Sequence, residues 1–156
     1  MSWSTLWFGK HKGKTLPQVI FSDPDWFFWA IEEGVFKDKG KIFREAQEIS
    51  QKSKRIRIPQ KGPGKLVAEY GIHPPTKKFG DMEILPASRP RHEGSTPTFR
   101  LEYIDLSVPR EIAPYDKLGC KHLISNLKYY LFGSKSYSMT KNRCEAFFED
   151  DDNFDL

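Results

Sequence analysis

An α+β fold is expected for this chain of 156 residues, on three observations. Residues 1–53 hold a turn bracketed by glycines and then two segments with apolar residues at helical spacing. FRLEYIDL, Phe99–Leu106, alternates as a half-buried strand does. Leu118, Leu123, Leu127 and Leu131 supply much of an apolar stripe along a helix over Asp116–Phe132. The expected order is a hairpin-plus-helices module at residues 1–53 and a basic connector at 54–64. A small strand-rich α+β region at 65–144 with a closing helix follows, then an acidic disordered tail at 145–156.

Local chemistry argues for each element. In LWFGKHKGKTLPQVIF, Gly9 and Gly13 bracket a turn between two short extended segments. Ser22 or Asp23 can cap the helix that follows, Pro24 suits its first position, and WFFWAIEEGVF runs on to a stop at Gly34. Trp26, Phe27, Phe28 and Trp29 cannot all face one way on it, so at least one is expected to be partly exposed, with Trp26 or Trp29 in the core. A second helix over Lys41–Lys52 puts Ile42, Phe43, Ala46 and Ile49 on one face. Lys52–Lys65 carries six bases, two prolines and no acid, which suits an exposed strand or linker. Strands are expected at Lys65–Tyr70, Met82–Leu85 and Phe99–Leu106, with loops at Pro74-Pro75 and PASRPRHEGSTP. Gly133 closes the helix over Asp116–Phe132, and SYSMTKNRCEAFF forms a short further helix.

Charge points toward function. The chain is +4 overall, but residues 145–156 hold six carboxylates and no base, so residues 1–144 stand at +10. A body this basic favours polyanionic partners, because clustered Lys and Arg attract phosphates. Only two cysteines occur, no apolar run is long enough to span a bilayer, and no secretory leader is apparent; a reducing cytoplasm and no membrane partner are expected.

Phe8, Gly9, Lys10, Lys12, Gly13, Lys14, Leu16, Pro17, Asp25, Trp26, Trp29 and Ala30 lie within residues 8–36. This segment resembles the C-terminal module of exonuclease X-like proteins and a related family of small bacterial and phage proteins described as quorum-sensing-regulated virulence factors. The resemblance implies a small hairpin packed on a helix and an association with nucleic-acid enzymes.

On an extended segment Lys10, Lys12 and Lys14 would share one face and track successive phosphates, with His11 opposite; the alternative is a solvated edge that discourages aggregation. Trp3 or Trp7, preceding them, could stack on unpaired bases. The densest cationic run adds Lys54, Arg55, Arg57, Lys61 and Lys65, with Ile56 and Ile58 interleaved to pack on the body. FFEDDDNFDL resembles the acidic, phenylalanine-bearing tails of bacterial and phage single-stranded-DNA-binding proteins. That likeness implies a disordered segment that docks onto partner proteins, here through Phe148, Asp150, Asp151, Asp152 and Phe154, and competes with DNA for the basic surface.

No catalytic signature is present and no cofactor is expected. Cys120 and His122 are two apart and Cys144 is distant, which is not a zinc pattern. Asp81, Glu83, Glu102 and Asp105 are the carboxylates a magnesium-dependent nuclease would draw on, Asp81 and Glu83 as a pair on one strand. The expectation is therefore a DNA- or RNA-binding accessory protein, DNA before RNA, encoded by a phage or mobile element. A protein-binding adaptor or inhibitor of a nucleoprotein complex is the first alternative, and the nuclease the second.

Overall fold

A computed structural model describes residues 3–59, 62–91, 97–134 and 138–156. Lys61 of the expected cation set lies outside the described residues. The fold is α+β, with helices and two antiparallel sheets. The N-terminal helices are α1 (Leu16–Ser22), α2 (Pro24–Glu32) and α3 (Lys41–Ser53). A three-stranded sheet has the order β3 (Lys78–Pro86), β2 (Leu66–His73), β4 (Thr98–Leu101). A two-stranded sheet pairs β1 (Ile56–Arg57) with β5 (Tyr103–Ile104). Then come α4 (Val108–Ile112), α5 (Lys117–Phe132), α6 (Lys141–Glu149) and a 3-10 turn at Asp151–Asn153. Among the described residues no helix is long and apolar enough to cross a membrane.

The N-terminal segment expected as two strands contributes a single bridge, Thr5 to Thr15, before α1 begins. Gln18 reaches back to accept a hydrogen bond from the Thr15 N–H (3.2 Å), half of a capping box written in the sequence as Thr-x-x-Gln ahead of an apolar run. Asp23 caps α2 as expected, accepting from the Trp26 N–H at 3.2 Å. The core positions of α2 are corrected: Phe27 and Phe28 are buried, Trp26 is half-buried and Trp29 is exposed. Pro24, Phe27, Phe28 and Ile31 recur at three- and four-residue spacing, which leaves the two indoles off the inward face.

FRLEYIDL, expected as one strand, is two. β4 pairs with β2 and β5 with β1, so the chain changes sheets at Glu102. On α5, Leu123 and Leu127 are buried, but Leu118, expected in the stripe, is exposed, because Gly119, Cys120, Leu123 and Leu127 define the inward face. One continuous apolar cluster joins all the expected segments, from Trp3 and Phe27 through Ile56, Tyr70 and Leu123 to Phe148 and Phe154. The tail expected to be disordered instead forms the end of α6, the 3-10 turn and a bridge from Phe154 to Ile56, held by the two phenylalanines it buries.

Candidate nucleic-acid interface

The lysine segment is a compact turn and not an extended strand. The Leu6 N–H donates to the Lys14 carbonyl and the Gly13 N–H to the Leu6 carbonyl, each at 2.9 Å, and the chain between them curls through Gly9 (φ +75°) and Gly13 (φ +92°). Those left-handed conformations suit glycine and close the loop too tightly for period-two alternation. Lys10 and His11 both turn to Asp23, Nζ at 3.0 Å and Nε2 at 2.9 Å, while Lys12 and Lys14 stay exposed. Burial pulls the Asp23 carboxyl upward, but hydrogen bonds from His11, Lys10 and the Trp26 amide together hold it below its ordinary value.

Beside this turn lies a cleft of about 550 Å³, lined by Lys10, His11 and Lys14, by Ser22, Asp23 and Asp25, and by Lys117, Cys120, Lys121 and Ile124 of α5 with Ala113. Its carboxylates are already matched. Asp23 holds Lys10 and His11, and Asp25 holds Arg110 at 2.7 Å, a guanidinium that also reaches Glu32 at 3.0 Å. Among the described residues the side chains of Lys14, Lys117 and Lys121 have neither ion pair nor hydrogen bond, so the cleft carries uncompensated positive charge. Burial pushes the Cys120 thiol up to about 11, leaving it protonated and a poor nucleophile at neutral pH. Sequence reading missed Lys117 and Lys121. They are i,i+4 on one helix, but only the fold brings that helix to a turn a hundred positions away.

Among the described residues, the cations of the basic run meet partners within the chain. Lys54 lies over the Phe28 ring (5.6 Å), Arg55 over the Tyr103 ring (4.6 Å), and Lys65 pairs with Glu102. Ile56 is buried and Ile58 half-buried, the packing expected of them. The acidic segment sits on this strip. The Asp155 N–H donates to the Arg55 carbonyl (3.0 Å), Arg55 Nε donates back to the Asp155 carbonyl (2.6 Å), and Arg57 Nε donates to the Phe154 carbonyl (3.1 Å). Tyr103 donates its hydroxyl to Asp155 Oδ2 at 3.0 Å. Phe154 stacks on Phe148 at 5.5 Å beneath Lys52, whose ammonium also reaches Asp151 at 3.3 Å. Of the residues expected to meet a protein partner, Phe148 and Phe154 are therefore core side chains, Asp150 caps the 3-10 turn, Asp151 pairs with Lys52, and Asp152 is exposed.

Aromatic rings run alongside the lysine turn. Trp3, one of the expected stacking residues, is buried, whereas Trp7 is 58% exposed. From Trp7 the rings continue through Phe8 (5.3 Å), Phe36 (6.3 Å) and Trp26 (6.0 Å) to the exposed Trp29 (6.4 Å). The carboxylates weighed for magnesium are divided. Asp81 and Glu83 lie on β3 at one edge of the three-stranded sheet, Glu102 follows β4 at the other and pairs with Lys65, and Asp105 accepts from the Ser107 N–H at 2.8 Å. Among the described residues no three His, Cys, Asp or Glu side chains gather as a metal-binding group. No family model matches the chain, and neither the curated proteins nor the solved structures contain a match to it.

Proposed function

We propose that this chain is a nucleic-acid-binding accessory protein, for DNA before RNA, that holds phosphates with Lys10, Lys12, Lys14, Lys117 and Lys121. One observation carries the reading: Lys14, Lys117 and Lys121 stand uncompensated around one cleft whose carboxylates are bound to Lys10, His11 and Arg110. Ammonium groups so placed release condensed counterions when phosphates bind, which makes affinity a steep function of salt. The likeness of residues 8–36 to the exonuclease X-type module supports the same neighbourhood. An adaptor role would need a surface other than the acidic segment, since Phe148 and Phe154 are buried.

Fluorescence anisotropy with labelled DNA tests the proposal. Changing Lys14, Lys117 and Lys121 together to Glu abolishes binding at moderate salt, and the salt slope of the single Lys14→Ala variant falls by about 0.7–0.9. Absence of binding by the wild-type chain at low salt overturns the proposal. A stable protein partner that survives nuclease treatment would then favour the adaptor.

A further inference from the structure

Resting on the phosphate-binding reading of the lysine cleft, we infer that the ligand is single-stranded, its unpaired bases stacking on Trp7 and Trp29 while the lysines beside them hold its backbone. Large apolar side chains left in water are informative when rigid and clustered. Trp7 is 58% and Trp29 41% exposed, and neither is a loose surface ring. Trp7 stands edge-on to Phe8 at 5.3 Å, and Trp29 lies 6.4 Å from Trp26, which packs in turn on the buried Phe36. Trp7 is joined through Phe8, and Trp29 through Trp26, to the buried Phe36, contacts that limit the conformational entropy lost when a base covers either indole.

The same run of rings supports the lysine turn. Gly9 lies directly on Trp26, where an added Cβ would come within 3.5 Å of Cζ2, and the His11 imidazole stands edge-on to that indole at 5.1 Å. The turn that carries Lys10 therefore packs on the run of rings that ends in Trp7 and Trp29, which brings cations and aromatic faces side by side, the combination by which unpaired strands are held. A duplex offers phosphates to the lysines, but its base faces are covered by their neighbours. The indoles then gain nothing. Only a strand with exposed bases uses both halves of the surface.

The test is an anisotropy titration of the full chain against oligothymidine and against a duplex of equal length, with Trp7→Ala, Trp29→Ala, Trp7→Phe and the Lys14→Glu, Lys117→Glu, Lys121→Glu triple variant. Thermal melts are run beside each, so that a misfolded variant is recognised and Trp7→Phe, which keeps a stacking ring, stands in for it. Each alanine variant weakens oligothymidine binding about ten-fold and leaves duplex binding within about two-fold; Trp7→Phe keeps most of the single-strand affinity. The lysine variant weakens both. Equal affinity of the wild-type chain for strand and duplex overturns the inference, as do folded tryptophan variants that bind oligothymidine normally; the phosphate reading stands in either case if the lysine variant still loses binding. A lysine variant that binds as the wild type does overturns the phosphate reading itself.

Discussion

Replacing Phe154 by alanine removes the ring that fastens the last residues to the fold. The ring is 3% exposed, stacked on Phe148 and edge-on to Phe147 at 5.6 Å. Truncating a phenylalanine in a site that cannot collapse costs about 3–5 kcal/mol. Residues 150–156 lie beyond α6, however, so the segment can leave without unfolding the rest, and the loss is capped by whatever holds it. Besides the ring, that hold includes the Asp155 N–H to Arg55, the two guanidinium contacts to main-chain carbonyls and the Tyr103 hydroxyl to Asp155. Partly exposed hydrogen bonds contribute about 0.5–1.5 kcal/mol each, so the four give about 2–6 kcal/mol with the ring besides, and after the entropy of ordering the segment is subtracted a net loss near 2–4 kcal/mol is expected. For a chain of this size that lowers Tm by about 4–16 °C. Thermal melts and urea titrations of Phe154→Ala measure it, with Leu156→Ala as control, because Leu156 is 74% exposed and its loss is expected to be silent. A Phe154→Ala protein melting within about 1 °C of the wild type would refute the docking of this segment.

Glu69→Ala strands the Arg100 guanidinium, 14% exposed and bonded to Glu69 at 2.8 Å across β2 and β4, and is expected to cost about 3–5 kcal/mol in urea unfolding. Lys65→Ala, which breaks the more exposed pair with Glu102, is expected to cost about 1 kcal/mol or less in the same assay. Gly119→Ala places a Cβ 2.2 Å from Asp116 Oδ2, displacing the carboxylate that caps α5 and also accepts from the Phe79 N–H, so its melt falls by at least the ~1 kcal/mol of a lost cap. Asp23 has its folded pKa depressed, so its contribution is present above the ordinary carboxyl value and is lost as pH falls through the depressed one. Asp23→Asn is therefore less stable than the wild type at neutral pH, and the two acid-unfolding curves converge at low pH. Deleting residues 150–156 removes four carboxylates and uncovers Arg55 and Arg57, and anisotropy is expected to show tighter DNA binding at low salt, the gain shrinking as salt rises.

Helices with strong local signals were legible in the sequence. Asp23-Pro24 starts α2 and Gly133 closes the helix over Lys117–Phe132, because cap chemistry acts within a turn of the residue that carries it. The strand break at Glu102 was not read from the sequence: FRLEYIDL alternates as far as Tyr103, slips phase at Ile104, and is divided between β2 and β1 by tertiary pairing. Period-two reasoning failed on Lys10, Lys12 and Lys14 for a related reason, since two left-handed glycines curl the segment before it can extend. Half of the cationic cleft was out of reach as well, because Lys117 and Lys121 join Lys14 only through the packing of α5 against the N-terminal helices.

Net charge made phosphate an expected partner of the chain but did not give an address for it. Residues 1–144 are +10, and the densest basic run, from Lys52 to Lys65, was the natural place to look. The fold reverses that ranking. Arg55 and Arg57 spend their donors on the main chain of the acidic segment, and Lys52 on Phe148 and Asp151. A cation already bonded offers a phosphate only the difference between two similar contacts, whereas an uncompensated one offers the whole attraction. Density along the sequence therefore overstates the connector, and the sparser lysines, with carboxylate neighbours bound elsewhere, are the cations whose side chains have no partner in the fold. The docked carboxylates follow the same logic: Asp151 and Asp155 meet cations beside Phe154, and none of the six acids of residues 145–156 lines the cleft of Lys14, Lys117 and Lys121.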